Sequence, residues 1–410
     1  MNEQNLKKNM IWNAAGNLIY LMCQWLVTVL VTNIGAFRDA GLLSVAMSVS
    51  ATFQTVAMFG IRNYQVSDVD NKYSDTCYVS LRVLTCAVAL IACLAFSLIS
   101  GYTGEQLLAV ALFMLFRLAE NFSDVLHGIA QKSGRLDIAG KAFAIKGVGL
   151  VTVFLTAYQL SSQLCVGLLA MALFSIGTTF LYDLLAVKRL SDFKIFEANR
   201  KWRALALETA PLCLYLFFSA AIGTIPKLIL EWKCGEEILG AYSSIFAPAL
   251  LIAAATGYLY TPFIPMFANA YREKRNRAFL GLFAKLGAAI ACLALLSLLA
   301  AWLLGDFALK LIFGEKILAY AYLLIPILIF IFANALFAFL CMLEVVLRDF
   351  WWLLFACGSG LLAEILLTGV WIEKVGINAT SYSLTLGSAL PSLIMLVRIM
   401  TILRKKRKET

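Results

Sequence analysis

The chain has 410 residues, of which 62% are apolar and only 14% charged, with a mean hydropathy of +0.85 and a formal charge of +10. Water-soluble chains run about 45–50% apolar and about 25% charged, so this composition excludes a soluble enzyme, a disordered chain and a secreted disulfide scaffold. A transmembrane helix needs about 20 mostly apolar residues, and the chain holds enough of them for about a dozen spans.

Apolar runs recur over 10–34, 42–61, 81–98, 107–129, 147–160, 164–187, 205–222, 239–259, 280–304, 321–343, 351–370 and 380–399. They predict an all-α polytopic membrane protein of about twelve spans. The alternating ten-residue segments of a barrel are absent, and an open sheet would leave backbone groups unpaired in lipid. The run at 147–160 is short and is expected to extend back toward Ala142. The first run follows Lys7-Lys8 as a signal peptide would, but it is too long for one and carries Asn13, Asn17 and Gln24, so it is read as a retained span. With the N-terminus inside, 27 of the 34 Lys and Arg fall on that side and six on the other, while Arg117 lies within a span. That bias predicts cytoplasmic termini at a cell membrane. The net positive charge is then a topology signal, and the basic tail at 404–408 is expected to rest on anionic headgroups rather than on nucleic acid.

Six spans, a basic stretch and six more spans suggest two six-helix bundles, 1–190 and 191–410, related by an axis along the membrane normal. A weak echo supports this: Asp39-Ala40-Gly41-Leu42-Leu43-Ser44 opens the second span, and Leu239-Gly240-Ala241-Tyr242-Ser243 opens the eighth. All seven prolines lie at or beyond Pro211, so bent helices are expected in the second half, around 211–226 and 262–265. The ten cysteines show no CxxC spacing and His127 is the sole histidine. With no P-loop or GxSxG, the chain is expected to use no metal, no cofactor and no catalytic residues.

Ionisable groups inside spans are costly and default to function. Arg117, Glu120, Asn121, Asp124, His127 and Gln131 fall within an arc of about 120° on the fourth span. Glu120 at i+3 and Asp124 at i+7 are expected to neutralise Arg117. Two readings stay open for this stripe: anion binding with ion coupling, or a self-satisfied network that locks helices together. On the first span, Asn13, Asn17 and Gln24 suit either a wet cavity or helix–helix hydrogen bonds. In the second half, Glu208 shares a face with Pro211, Tyr215 and Ser219. Lys227 meets either a phosphate or the outer headgroups. Glu344 is placed to pair with Arg348, and Glu364 stands alone and needs a partner or a proton.

Three stretches carry a family resemblance: Asn9-Met10-Ile11-Trp12-Asn13-Ala14-Ala15-Gly16-Asn17; Arg117-Leu118-Ala119-Glu120 through Asp124, Gly128, Gln131-Lys132, Arg135-Leu136-Asp137 and Gly140-Lys141; and Ile225-Pro226-Lys227 with Leu239-Gly240-Ala241-Tyr242-Ser243. The chain resembles the Wzx-type oligosaccharide flippases of the multidrug/oligosaccharidyl-lipid/polysaccharide (MOP) exporter superfamily. The resemblance implies a fold like that of the multidrug exporters (MATE-like). It also implies an oligosaccharide linked to undecaprenyl diphosphate, flipped from the cytoplasmic to the outer leaflet of a bacterial cell membrane. The pathway would be capsule, O-antigen, exopolysaccharide or teichoic-type synthesis, with polymerase and glycosyltransferases as neighbours. Arg117 and Lys227 would hold the diphosphate and Arg62 would add to the cytoplasmic entrance; Asn13, Asn17 and Gln24 would contact sugar hydroxyls, with Asn121 also among the substrate-binding residues. Glu120, Asp124, His127, Glu208, Glu344 and Glu364 would balance charge or couple to an ion. Two rivals remain: a cation-coupled multidrug exporter, although the first span offers amides where an acid is expected, and a membrane polysaccharide polymerase, although the outer loops are short.

Overall fold

A computed structural model describes residues 3–408 except 69–70, 198–200, 261–262 and 348. Every regular element among the described residues is helical. In chain order these are α1 (Glu3–Ile34), α2 (Phe37–Met58), α3 (Ile61–Ser67), α4 (Asp75–Ile99), α5 (Gly104–Lys132), α6 (Leu136–Ser161), α7 (Leu164–Thr178) and α8 (Leu185–Lys188). They continue with α9 (Lys201–Ile222), α10 (Ile225–Cys234), α11 (Glu236–Tyr260), α12 (Ile264–Arg272), α13 (Asn276–Phe313), α14 (Leu324–Leu347), α15 (Phe350–Val375) and α16 (Asn378–Lys408). A π-helical segment, Thr179–Leu184, joins α7 to α8. A 3₁₀ segment, Glu315–Leu323, precedes α14.

By length and composition, ten of the described helical stretches can cross a membrane. α5 and α11 occupy the remaining two expected positions, giving the multi-pass helical fold about twelve spans. α5 is set apart by its charges rather than by its length, since 29 residues are ample to span. The fifth span does extend backward, and further than Ala142: α6 begins at Leu136. α13 leaves Leu295, Leu299, Trp302 and Phe307 exposed, the pattern of a helix that faces lipid.

The chain divides into two compact units, Met1–Ala220 and Ala221–Thr410. This boundary falls later than the 190/191 division expected from counting spans. α9 belongs with the first unit because its side chains land there. Leu212 closes over Gly60, Phe217 meets Phe53 with ring centroids 6.1 Å apart, and Glu208 reaches Lys72. Gly60 and Phe59 both take positive φ, +66° and +49°, which lets the chain turn sharply from α2 into α3. Ser74 caps α4 by accepting from the Cys77 N–H at 3.3 Å. In the loop before it, Asp68 accepts from the Lys72 and Tyr73 amides, at 2.8 and 3.1 Å, and from the Tyr78 hydroxyl at 2.8 Å. Burial opposes its charge, but these bonds outweigh it and hold the carboxyl below its ordinary range.

In the second unit, Phe246 stacks on Phe330, and Phe283, Phe267 and Tyr260 gather round Phe339. Pro211, Pro248 and Pro391 sit inside helices, the positions where proline removes a ladder bond. Pro226 and Pro265 occupy first turns, where no such bond is lost. Pro262, in the second stretch expected to flex, lies outside the described residues.

α1 and α6 approach through two glycines. A Cβ on Gly16 would collide with the carbonyl of Gly140, and one on Gly140 with the carbonyl of Trp12. Both obstacles are backbone and cannot swing aside. Gly140→Val is therefore expected to cost about 1–3 kcal/mol through overpacking. It should lower the thermal midpoint of the purified protein, whereas Gly177→Ala, which meets nothing within 4 Å, should hold or slightly raise it because alanine is the better helix former.

Candidate functional site

The polar stripe of α5 resolves into two ionic clusters inside the first unit. The first centres on Asp124. Its Oδ1 receives Arg62 Nη1 from α3 at 2.8 Å, and its Oδ2 receives Arg82 Nη2 from α4 at 2.9 Å. Arg82 is wholly buried and also donates to the Ala57 carbonyl at 2.7 Å. Arg62 reaches on to Gln131 Oε1 at 3.2 Å. One carboxylate thus anchors two guanidinium groups, and three helices meet on it.

The second cluster centres on Lys146 of α6, also buried. Its Nζ lies 3.3 Å from Glu120 Oε1 and 3.0 Å from Asp183 Oδ2, and it donates to Thr179 Oγ1 at 3.0 Å and to Ser123 Oγ. Glu120 further accepts from Tyr20 of α1 at 2.5 Å and from Ser175 of α7 at 2.8 Å. His127 Nε2 meets Asp183 Oδ1 at 3.1 Å, and its ring packs edge-on against Phe143, centroids 5.1 Å apart. Thr179 and Asp183 stand on the π-helical segment, whose wider turn carries both toward Lys146.

Arg117 belongs to neither cluster, so the expected pairing with Glu120 and Asp124 does not form. Those carboxylates point to cations on α3, α4 and α6. The Arg117 guanidinium instead lies over Phe113 and Phe116, 5.1 and 5.2 Å from the ring centroids. Its Nε is buried without an acceptor. It lines a small, mostly apolar cavity with Gln24, Thr28, Met47 and Met171. Gln24 donates to Tyr20 at 2.6 Å, which links this cavity to Glu120.

The other candidates are dispersed. Asn121 is buried and accepts from Gln54 at 3.3 Å. Asn17 donates to the Asn13 carbonyl at 2.9 Å, within α1 itself. Glu208 stands on α9 on the same helical face as Pro211, Tyr215 and Ser219. Its carboxylate is bound by Lys72 at 2.6 Å, Tyr73 at 3.0 Å and Tyr64. The Glu208 hydrogen bond in turn raises the Lys72 ammonium above its ordinary range.

In the second unit, Lys227 does not snorkel outward: its Nζ lies 3.6 Å from the centroid of the Phe246 ring. Glu344 and Glu364 are both fully buried, with no hydrogen-bond partner for either carboxyl among the described residues. Glu364 packs on Gly387 of α16. The expected partner of Glu344, Arg348, lies outside the described residues, as do the side chains of the basic tail beyond Arg404.

Arg82, Lys146 and Asp183 are members of the two clusters that the sequence does not single out. Arg82 and Asp183 stand near the ends of their apolar runs, 81–98 and 164–187, and Lys146 just before the run at 147–160. A signal existed for Lys146: fourteen residues at 147–160 cannot cross a bilayer, so the span has to run back through it.

These observations describe a multi-pass helical membrane protein with two ionic clusters inside its first unit. The sequence profile of the polysaccharide biosynthesis protein family matches residues 6–271, and the chain belongs to that family. It is 24% identical over 315 residues to the capsular polysaccharide biosynthesis protein CapF of Staphylococcus aureus, covering 75% of this chain and 78% of that protein. Among solved structures it is similar to the lipid II flippase MurJ in an inward closed conformation, with a TM-score of 0.72 at 11% identity over 96% of this chain and 87% of that one. An inward-facing MATE multidrug transporter of the MOP superfamily matches with a TM-score of 0.65 at 12% identity, over 100% and 96%. At these identities the structural likeness establishes the fold.

The Asp124 cluster predicts unequal costs for two ion pairs. Asp124→Ala leaves Arg82 buried without its carboxylate and is expected to cost about 3–5 kcal/mol, seen as lost monodisperse protein on size-exclusion chromatography. Arg38→Ala, which breaks the largely exposed Arg38–Glu105 pair, should cost at most about 1 kcal/mol.

Proposed function

We propose that the protein is a flippase for lipid-linked oligosaccharide, carrying a sugar chain on undecaprenyl diphosphate from the cytoplasmic to the outer leaflet of a bacterial cell membrane. It works in surface polysaccharide synthesis, alongside the glycosyltransferases and polymerase of that pathway. Family membership and the transporter fold support the general class. The observation that carries the finer reading is Arg117, a guanidinium in mid-helix that no carboxylate neutralises among the described residues.

A diphosphate cannot enter hydrocarbon unaided, because its charge loses solvation that nothing repays. A guanidinium seated on aromatic rings keeps its N–H edges free to donate, and charge-assisted bonds to phosphate are the strong ones. Gln24, beside Arg117, offers an amide to sugar hydroxyls, as do Asn13 and Asn17 further along α1. Lys227 is the corresponding cation in the second unit, again without a carboxylate among the described residues. Glu120, Asp124 and His127 serve as charge balance within the first unit. Glu344 and Glu364, buried without hydrogen bonds, are the groups suited to exchange a proton. No bond is made or broken, so the protein is not an enzyme. Both termini lie in the cytoplasm.

Deleting the gene should strand lipid-linked oligosaccharide on the cytoplasmic leaflet, and Arg117→Ala should do the same while inserting at wild-type levels. Losing one charge-assisted bond of about 1.5–3 kcal/mol predicts a drop of roughly ten- to a hundredfold in export. Wild-type export from that variant would remove Arg117 from the substrate path. Oligosaccharide that remains reachable from outside in the deletion strain would sink the flippase reading.

A further inference from the structure

The Lys146 cluster holds more oxygen around its cation than an ammonium can use. Four oxygens surround Nζ: Asp183 Oδ2 and Thr179 Oγ1, each at 3.0 Å, Glu120 Oε1 at 3.3 Å, and Ser123 Oγ. An ammonium has three N–H donors. Asp183 Oδ2 is buried and faces Nζ as an ion pair without an aligned hydrogen bond. Two carboxylates and two hydroxyls, with no nitrogen among them, make the ligand set that hard cations select over softer ones. Asp183 is fully buried and Ser123, Thr179 and Lys146 very nearly so, so bulk water does not share the coordination. The residues are held from several sides. Glu120 and Ser123 lie on α5, Thr179 and Asp183 on the π-helical segment, and Tyr20 and Ser175 fix the Glu120 carboxylate from α1 and α7. Two further ionisable groups lie against the cage: His127, on the opposite oxygen of Asp183, and Tyr20, on the other oxygen of Glu120.

We propose that this cage is a monovalent-cation site built into the first unit, with the Lys146 ammonium as its tethered occupant. Deleting the amine while leaving the four oxygens opens the site to K+, whose size is close to that of an ammonium; the smaller Na+ requires the cage to contract. Because the tether cannot leave, the first unit neither gains nor loses a metal cation here during a transport cycle. Any dependence of the wild type on an alkali cation then arises elsewhere in the chain. The inference is independent of the flippase reading, since it is tested on purified protein without substrate.

The test is the thermal midpoint of full-length protein in lipid nanodiscs, in chloride salts of K+, Na+ or N-methylglucamine at matched ionic strength. Wild type should give one midpoint in all three. Lys146→Ala should melt lower in N-methylglucamine and recover by several degrees as K+ saturates the site, with Na+ less effective. Adding Asp183→Asn should abolish the recovery. Should Lys146→Ala fail to fold, Lys146→Ala combined with Glu120→Gln carries the same test, because one carboxylate and the hydroxyls remain for a monovalent cation. Equal midpoints in K+ and N-methylglucamine for whichever of these variants folds would overturn the proposal.

Discussion

A carboxylate inside a helix bundle must be matched by a cation or a proton, because its desolvation otherwise exceeds what folding can offset. α5 brings two such carboxylates into the first unit, Glu120 and Asp124, and the packing around it follows from how they are matched. Asp124 draws in α3 and α4 through Arg62 and Arg82. Glu120 draws in α6 through Lys146, and α1 and α7 through Tyr20 and Ser175. Each pairing fixes the rotation of a helix as well as its position. A shift of one residue along α6 would turn Lys146 by about 100° away from its oxygens. Such networks contribute less to net stability than to the choice of a single arrangement, since apolar residues of equal volume pack about as well.

Matching these charges internally divides the polar residues into two groups. Glu120, Asp124, His127, Asp183, Arg82 and Lys146 are consumed by one another. Arg117 is not, and its guanidinium rests on Phe113 and Phe116 with an unfilled Nε. Among the described residues of the second unit, Lys227 lies over Phe246, and the buried carboxyls of Glu344 and Glu364 have no hydrogen-bond partner. In the proposed function, substrate binding falls to Arg117 and Lys227.

Much of this was legible in the sequence. Twelve spans followed from run length alone, and the α5 stripe from helical period, because both are local properties of the chain. The partners of the stripe were not, since pairing across helices depends on packing that no local period encodes. Arg82 stands second in its apolar run, and Lys146 precedes a run that ends too soon, so each resembled a boundary charge. Asp183 sits on a π turn, where the 100° register no longer predicts the face. Arg117 misled in the opposite sense. Its neighbours at i+3 and i+7 suggested local neutralisation, but their carboxylates serve other helices and its own side chain settled on aromatic rings. The boundary between units also eluded span counting, because α9 is bound to the first unit by Leu212, Phe217 and Glu208 rather than by its place in the order.

The most direct test of the account is flipping by the purified protein. Vesicles are reconstituted with undecaprenyl-diphosphate-linked oligosaccharide carrying a fluorophore on its sugar, and a membrane-impermeant quencher is added outside. The account predicts that wild type exposes the inner-leaflet pool, so that quenching proceeds past the outer half, and that Arg117→Ala stops near that half while Glu120→Gln, if it folds, proceeds. Quenching by Arg117→Ala to the wild-type extent and rate, or none by wild type, would contradict it.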